Sequence, residues 1–152
     1  MDDQTVVSRQ LGRPARAFGR VAARCPHGYP AVTEQAPFDE DGRPFPTTYY
    51  LTCPFLVAAI ARAEAAGGVR RFGERAASEP RLAASLAAAD AQQRRIRPEL
   101  DAGIGGTRAG GGLKCLHAHA AFALARPGYE LGELILAEVG ERWCEDARCG
   151  KE

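Results

Sequence analysis

The chain has no long apolar run, no excess of either charge and almost no lysine. No stretch approaches the roughly 18–20 consecutive apolar residues that span a bilayer. The first residues, Met1-Asp2-Asp3-Gln4, are acidic where a signal peptide would be basic and then apolar. A cytoplasmic protein without membrane insertion is therefore expected. Lys and Arg number 20 against 19 Asp and Glu, a formal charge of +1, so the basic excess of a dedicated nucleic-acid binder is missing. Aromatic residues make up only 7%, with one Trp and one Met. Cysteines number 5, an odd count with no C-x-x-C pair. In a reducing compartment that excludes a disulfide framework and leaves free, catalytic or metal-bound thiols.

What is present is enough for an ordinary globular core. The chain has 152 residues, 45% of them hydrophobic and 26% charged, which suits one domain over 1–152. The pattern divides it into a strand-rich part, 15–52, a helical part, 53–143, and a flexible tail, 144–152. Asp3 to Gly12 reads as a short opening helix, stopped by Gly12 and Pro14. Phe18 to Arg24 and Ala31 to Ala36 read as strands around the turn Cys25-Pro26-His27-Gly28-Tyr29-Pro30, and Phe45 to Thr52 as a third.

From Thr52 the pattern turns helical. Thr52 is a capping residue before Cys53 and Pro54, and a helix follows to Ala66. Further helices are expected over Val69–Ala77, from Pro80 to Pro98, over Leu113–Ala125 and over Leu131–Trp143, with Gly132 and Gly140 weakening the last. The expected class is α+β: a small three-stranded antiparallel N-terminal sheet packed on a helical C-terminal half.

The densest chemistry lies in Gly110-Gly111-Gly112-Leu113-Lys114-Cys115-Leu116-His117-Ala118-His119, a glycine loop opening an apolar helix. Such a helix start offers unpaired backbone N–H groups beside a lysine, a thiol and two imidazoles. The lysine lacks the glycine before it and the Ser/Thr after it of a nucleotide-binding P-loop, so that reading is excluded. A looser anion site from Lys114 and Arg108 stays open, as does a nucleophilic Cys115 activated by His119.

Cys25 in its turn, Cys53 at a helix start and Cys115 after the glycine loop all sit where backbone N–H groups favour thiolates and metal ligation. If these ends meet, three thiolates converge. His117, His119 or His27 completes a Cys3His zinc site, while three cysteines with an open position suit an iron–sulfur cluster. On an ideal helix Cys115 and His119 lie about 40° apart and Cys115 and His117 about 200° apart, which favours His119. Equally, all three thiols could be small buried core residues, as free cysteines often are. Cys144 and Cys149, in the charged tail, read as incidental thiols.

Three blocks carry a family resemblance: Arg24-Cys25-Pro26 with Gly28 and Pro30; Pro44-Phe45-Pro46-Thr47 leading to Tyr50-Leu51-Thr52-Cys53-Pro54; and Lys114-Cys115-Leu116-His117-Ala118. In this order they resemble the signature blocks of the bacterial, mainly actinobacterial, domain-of-unknown-function 501 family, over about residues 9–125. The resemblance implies no substrate and no mechanism. Its genes' neighbours, for enolase, a septum-formation protein and an exopolyphosphatase-like enzyme, imply a cell-division or phosphate-metabolism setting. It places Cys25, Cys53, Cys115 and His117 in the motifs, and so implies a shared metal site with His117 as fourth ligand, helix starts being irregular at ligand sites.

The leading expectation is thus a structural or regulatory Cys3His site holding zinc or an iron–sulfur cluster. Two alternatives stand beside it. One is a cysteine-dependent enzyme using Cys115 near Lys114 and Arg108, and the other a non-catalytic interaction protein whose cysteines only fill the core.

Overall fold

The computed structural model describes residues 1–108 and 112–151. Gly110 and Gly111 of the glycine loop lie outside the described residues. Helix α1 spans Asp3–Leu11; the Asp2 side chain accepts the Thr5 N–H (2.8 Å), and the left-handed Gly12 closes the helix. Strands β1 (Phe18–Arg24), β2 (Pro30–Gln35) and β3 (Tyr49–Leu51) form an antiparallel sheet in the order β1-β2-β3. The central strand β2 pairs Phe18 with Gln35 on one side and Val32 with Leu51 on the other. β3 is shorter than the sequence pattern predicts, because Pro44 and Pro46 flank Phe45 and cannot donate to a ladder.

Helices α2 (Pro54–Ala65), α3 (Gly68–Ser78), α4 (Pro80–Ile96), α5 (Leu116–Ala125) and α6 (Glu130–Glu138) follow. The α+β architecture expected from the pattern is present. Cys53 rather than Thr52 is the N-cap of α2, since the Thr52 N–H stays bonded to Ala31 O of the sheet (2.9 Å). Helix α6 ends at Glu138, and Gly140 beyond it takes a left-handed conformation. Among the described residues no helix is long and apolar enough to cross a membrane.

Helix α5 is the centre of the molecule. Leu116, Ala118, His119, Ala120, Ala121, Phe122 and Ala123 are all buried, as in a helix that is apolar on every side. It lies against β3 and is flanked by α2 and α6. Its alanines permit close approach. At Gly132 of α6 an added Cβ would fall 2.7 Å from Ala123 Cβ and 2.9 Å from His119 O. The glycine that weakens the helix pattern is therefore what lets α6 dock. Gly132→Ala is expected to lower stability by about 1–3 kcal/mol through overpacking, in spite of alanine's better helix propensity. Urea unfolding should show a lower midpoint with an unchanged slope.

The tail expected to be flexible makes defined contacts. His27 Nε2 donates to Cys144 O (2.8 Å), the Arg148 guanidinium lies 5.3 Å from the Phe55 ring centre, and Gln10 Nε2 donates to Cys149 Sγ (3.3 Å).

Candidate functional site

Where β3 passes into α2, and where α5 begins, the elements leave a cleft of about 560 Å³. Tyr49, Tyr50, Leu51 and Thr52 form the sheet wall, Pro54, Val57 and Ala58 the α2 wall, and Cys115, His117 and Ala118 the α5 wall. The last turn of α1 covers one side with Gln10 and Leu11, and Arg13 just beyond it donates to the Tyr50 hydroxyl (3.0 Å).

Each element reaches the cleft for a local reason. The Thr52 and Cys53 N–H groups both bond Ala31 O (2.9 and 3.3 Å), which keeps the chain extended until Pro54 starts α2. Cys115 is itself extended (φ −152°, ψ 160°) and serves as N-cap of α5, leaving its thiol half-buried at the cleft wall.

Two buried polar atoms of the lining residues have no protein partner. Thr52 is 1% exposed and its Oγ1 is unbonded, as is Gln10 Oε1. A buried polar group left unmatched costs about 1–3 kcal/mol, so a wall with two of them is suited to a polar ligand.

His117 is fixed from both ends of its ring. Nδ1 lies 3.2 Å from Glu64 Oε2, and Nε2 donates to Val57 O (3.2 Å). The same Glu64 oxygen accepts the Leu116 N–H (2.7 Å), tying the start of α5 to α2. Glu64 was not legible in the sequence. It is one glutamate in an ordinary helix, 52 residues from the group it holds.

His119, the geometric partner expected for Cys115, belongs to the core. It is 1% exposed, its Nδ1 shares a 2.8 Å bond with the Tyr129 hydroxyl, and burial lowers its pKa from 6.5 to about 4. Burial, and then the nearby Asp90 charge, push the Tyr129 hydroxyl well above its ordinary value. The ideal-helix angles do not apply here, because α5 begins at Leu116 and Cys115 is off the helix. Lys114 Nζ donates to Gly106 O (3.2 Å) and Arg108 is exposed; neither lines the cleft, whose cation is Arg13.

Cys25, Cys53, Cys115 and His117 are not gathered into one ligand set. Among the described residues no three His, Cys, Asp or Glu side chains are arranged to hold a metal ion. Burial raises the Cys53 thiol pKa first, and the neighbouring Cys149 and Cys25 raise it further; Cys115 is not among these neighbours. His117 has both nitrogens engaged, and His27 is exposed on the Cys144 carbonyl.

A family model described as a protein of unknown function, DUF501, matches residues 21–102. The match takes in Cys25, Cys53 and Glu64 and stops short of Cys115 and His117. Comparison with curated proteins and with solved structures gives no match.

Proposed function

The chain belongs to the DUF501 family, and from the site we propose that it binds a small polar molecule in the cleft between β3, α2 and α5, and that Cys115 attacks it there. The observation that carries this reading is the cleft itself, which joins a reachable thiol, an imidazole held by a carboxylate and the unpartnered Thr52 hydroxyl.

The thiol is the strongest nucleophile on the cleft wall at neutral pH; the tyrosine and threonine hydroxyls are far weaker. In the reaction a bond forms between Cys115 Sγ and an electrophilic carbon of the ligand. The thiol proton passes to solvent, and the electron pair displaced from that carbon stays on the ligand. Thr52 and Arg13 contact the ligand's polar groups. His117, oriented by Glu64 and the Val57 carbonyl, fixes the α5 wall of the cleft beside Cys115.

Competitive alkylation tests the reading. Cys25, Cys115, Cys144 and Cys149 are all partly exposed, so accessibility alone does not separate them. Iodoacetamide at neutral pH, followed by peptide mapping, should label Cys115 first. Small-fragment binding followed by NMR should perturb Tyr50, Val57 and His117 together. Equal labelling of the four thiols, with no fragment perturbing those three residues, would rule out the cleft as a reactive site.

A further inference from the structure

A second cavity, which shares no lining residue with the cleft, lies between α4 and the turn joining α5 to α6. It is a groove of about 830 Å³ with a floor of small residues, Ala84, Ala88 and Ala125. Its charged lining is Arg81, Arg95, Arg126 and Glu130, so two positive charges are left uncompensated. The turn beside it follows from the sequence Arg126-Pro127-Gly128. Pro127 keeps the residue before it out of the helical region, so α5 stops at Ala125 and Arg126 takes φ −129° and ψ 82°. Gly128, at φ +106°, lets the chain reverse into α6.

The two ends of the groove differ in charge. At one end Arg81 is paired with Glu130 (2.8 Å), and Ser85 Oγ accepts the Leu131 N–H (3.2 Å). At the other end the last turn of α4 and the C-cap of α5 meet neighbouring residues at the start of β3. Gln93 Nε2 donates to Thr48 Oγ1, and Arg126 Nε donates to the Tyr49 hydroxyl (2.9 Å). Arg95, in that last turn, and Arg126, at that cap, therefore share the cationic end.

Arg126 is half-buried and oriented in advance. Its guanidinium is held through Nε, and its centre lies 5.9 Å from the centre of the Tyr49 ring. Among the described residues its two Nη atoms have no partner and no carboxylate lies within 4 Å, yet neither is shut away from solvent. Arg94 and Arg97 have carboxylates nearby, Asp101 at 3.8 Å and Glu34 at 3.6 Å, whereas Arg95 has none among the described residues. A half-buried guanidinium without a counter-charge is costly to keep, and an anion from solution offsets that cost.

We propose that this groove binds a phosphate monoester, with the doubly charged phosphate held by Arg95 and Arg126 and the ester group lying over the alanine floor. The charge of the head group matches the two uncompensated arginines, and guanidinium N–H forks suit its terminal oxygens. A dicarboxylate of equal charge spreads its charges along the molecule, whereas only one end of the groove is cationic, Arg81 being neutralised by Glu130. Binding here forms no covalent bond and is independent of the chemistry at Cys115.

Titration of the full-length protein with inorganic phosphate at about pH 8, where the ion is doubly charged, tests the proposal by calorimetry and NMR. A single saturable site is expected, with a shift of the Arg126 Nε–H signal. Arg95→Gln and Arg126→Gln should each weaken binding about tenfold or more. Arg70→Gln, which removes an exposed arginine of α3 paired with Glu74, should leave it unchanged. Arg95 is exposed, so its variant remains informative even where Arg126→Gln disturbs Tyr49. No saturation by about 10 mM phosphate would overturn the proposal. So would succinate binding as tightly as phosphate, an equal loss in Arg70→Gln, or shifts confined to Tyr50, Val57 and His117, which would place the anion in the cleft.

Discussion

Phe122→Ala is expected to lower the free energy of unfolding by about 3–5 kcal/mol, the largest loss from any single truncation considered. Phe122 is among the largest fully buried side chains, and it packs edge-on against both Tyr49 and Tyr129 with ring centroids 5.6 Å apart in each case. Truncation removes the apolar transfer term, leaves a cavity and forfeits two aromatic pairs worth about 0.5–1.5 kcal/mol each beyond area burial. A loss of this size is a large part of a small domain's total stability. The effect reaches the cleft as well, because Tyr49 lines its sheet wall and is held from the other side by Arg126, which donates to its hydroxyl (2.9 Å). Chemical denaturation gives the energy, and faster labelling of Cys115 in the variant would report the loosened wall. A loss under about 1 kcal/mol would mean that the site collapses to refill the space.

Stability should also fall steeply with acid, and His119 is the group responsible between pH 6.5 and 4. Its pKa is lowered from 6.5 to about 4 by burial alone. Within that interval the unfolded chain binds a proton at this ring that the folded chain does not. Stability therefore rises with pH across the window: the contribution is complete above about pH 6.5 and is lost as pH falls toward 4, to a limit of about 3 kcal/mol. Other groups act elsewhere or in the opposite sense. Asp39, Glu79, Glu138 and Asp146 have lowered pKa values, so their contributions disappear below the ordinary carboxylate range. Asp90 is raised by burial and so gains relative stability as it protonates. Melting temperatures from pH 7.5 to 4 for the native chain and for His119→Asn, which keeps an acceptor near the Tyr129 hydroxyl, isolate the term. The variant should show the flatter slope, whatever its absolute stability; parallel slopes would assign the acid sensitivity to other groups.

The position of His119 also explains why the candidate site was only partly legible. Helical spacing relates residues correctly once both are in the helix, and it pairs Cys115 with His119. Cys115, however, is the extended cap, and the helix beyond it is surrounded by β3, α2 and α6, so the side chain at position 119 is carried into the core. His117 emerges in the cleft because Glu64 and the Val57 carbonyl meet it there. Neither partner has a sequence signal. The family blocks likewise singled out Cys25, Cys53 and Cys115 as special, but what each thiol meets depends on chain return, and the tail brings Cys149 to Gln10 and Gly150 to Tyr29.

The sequence by itself determined the order and kind of the elements, because their signals are local. Alternating β formers between proline and glycine turns mark the sheet, Pro54 and Pro80 open helices, and Gly12 closes one, whereas the last helix, expected to run to Trp143, stops at Glu138 before Gly140. The apolar composition after the glycine loop marked α5, and its burial is set by packing against β3, α2 and α6. Tertiary structure alone decided which polar and sulfur groups share a space. Those meetings join residues 52 to 139 positions apart, as in Leu116 with Glu64 and Gln10 with Cys149. They rest on single hydrogen bonds whose partners are set by helix packing and chain return, and no periodicity records them.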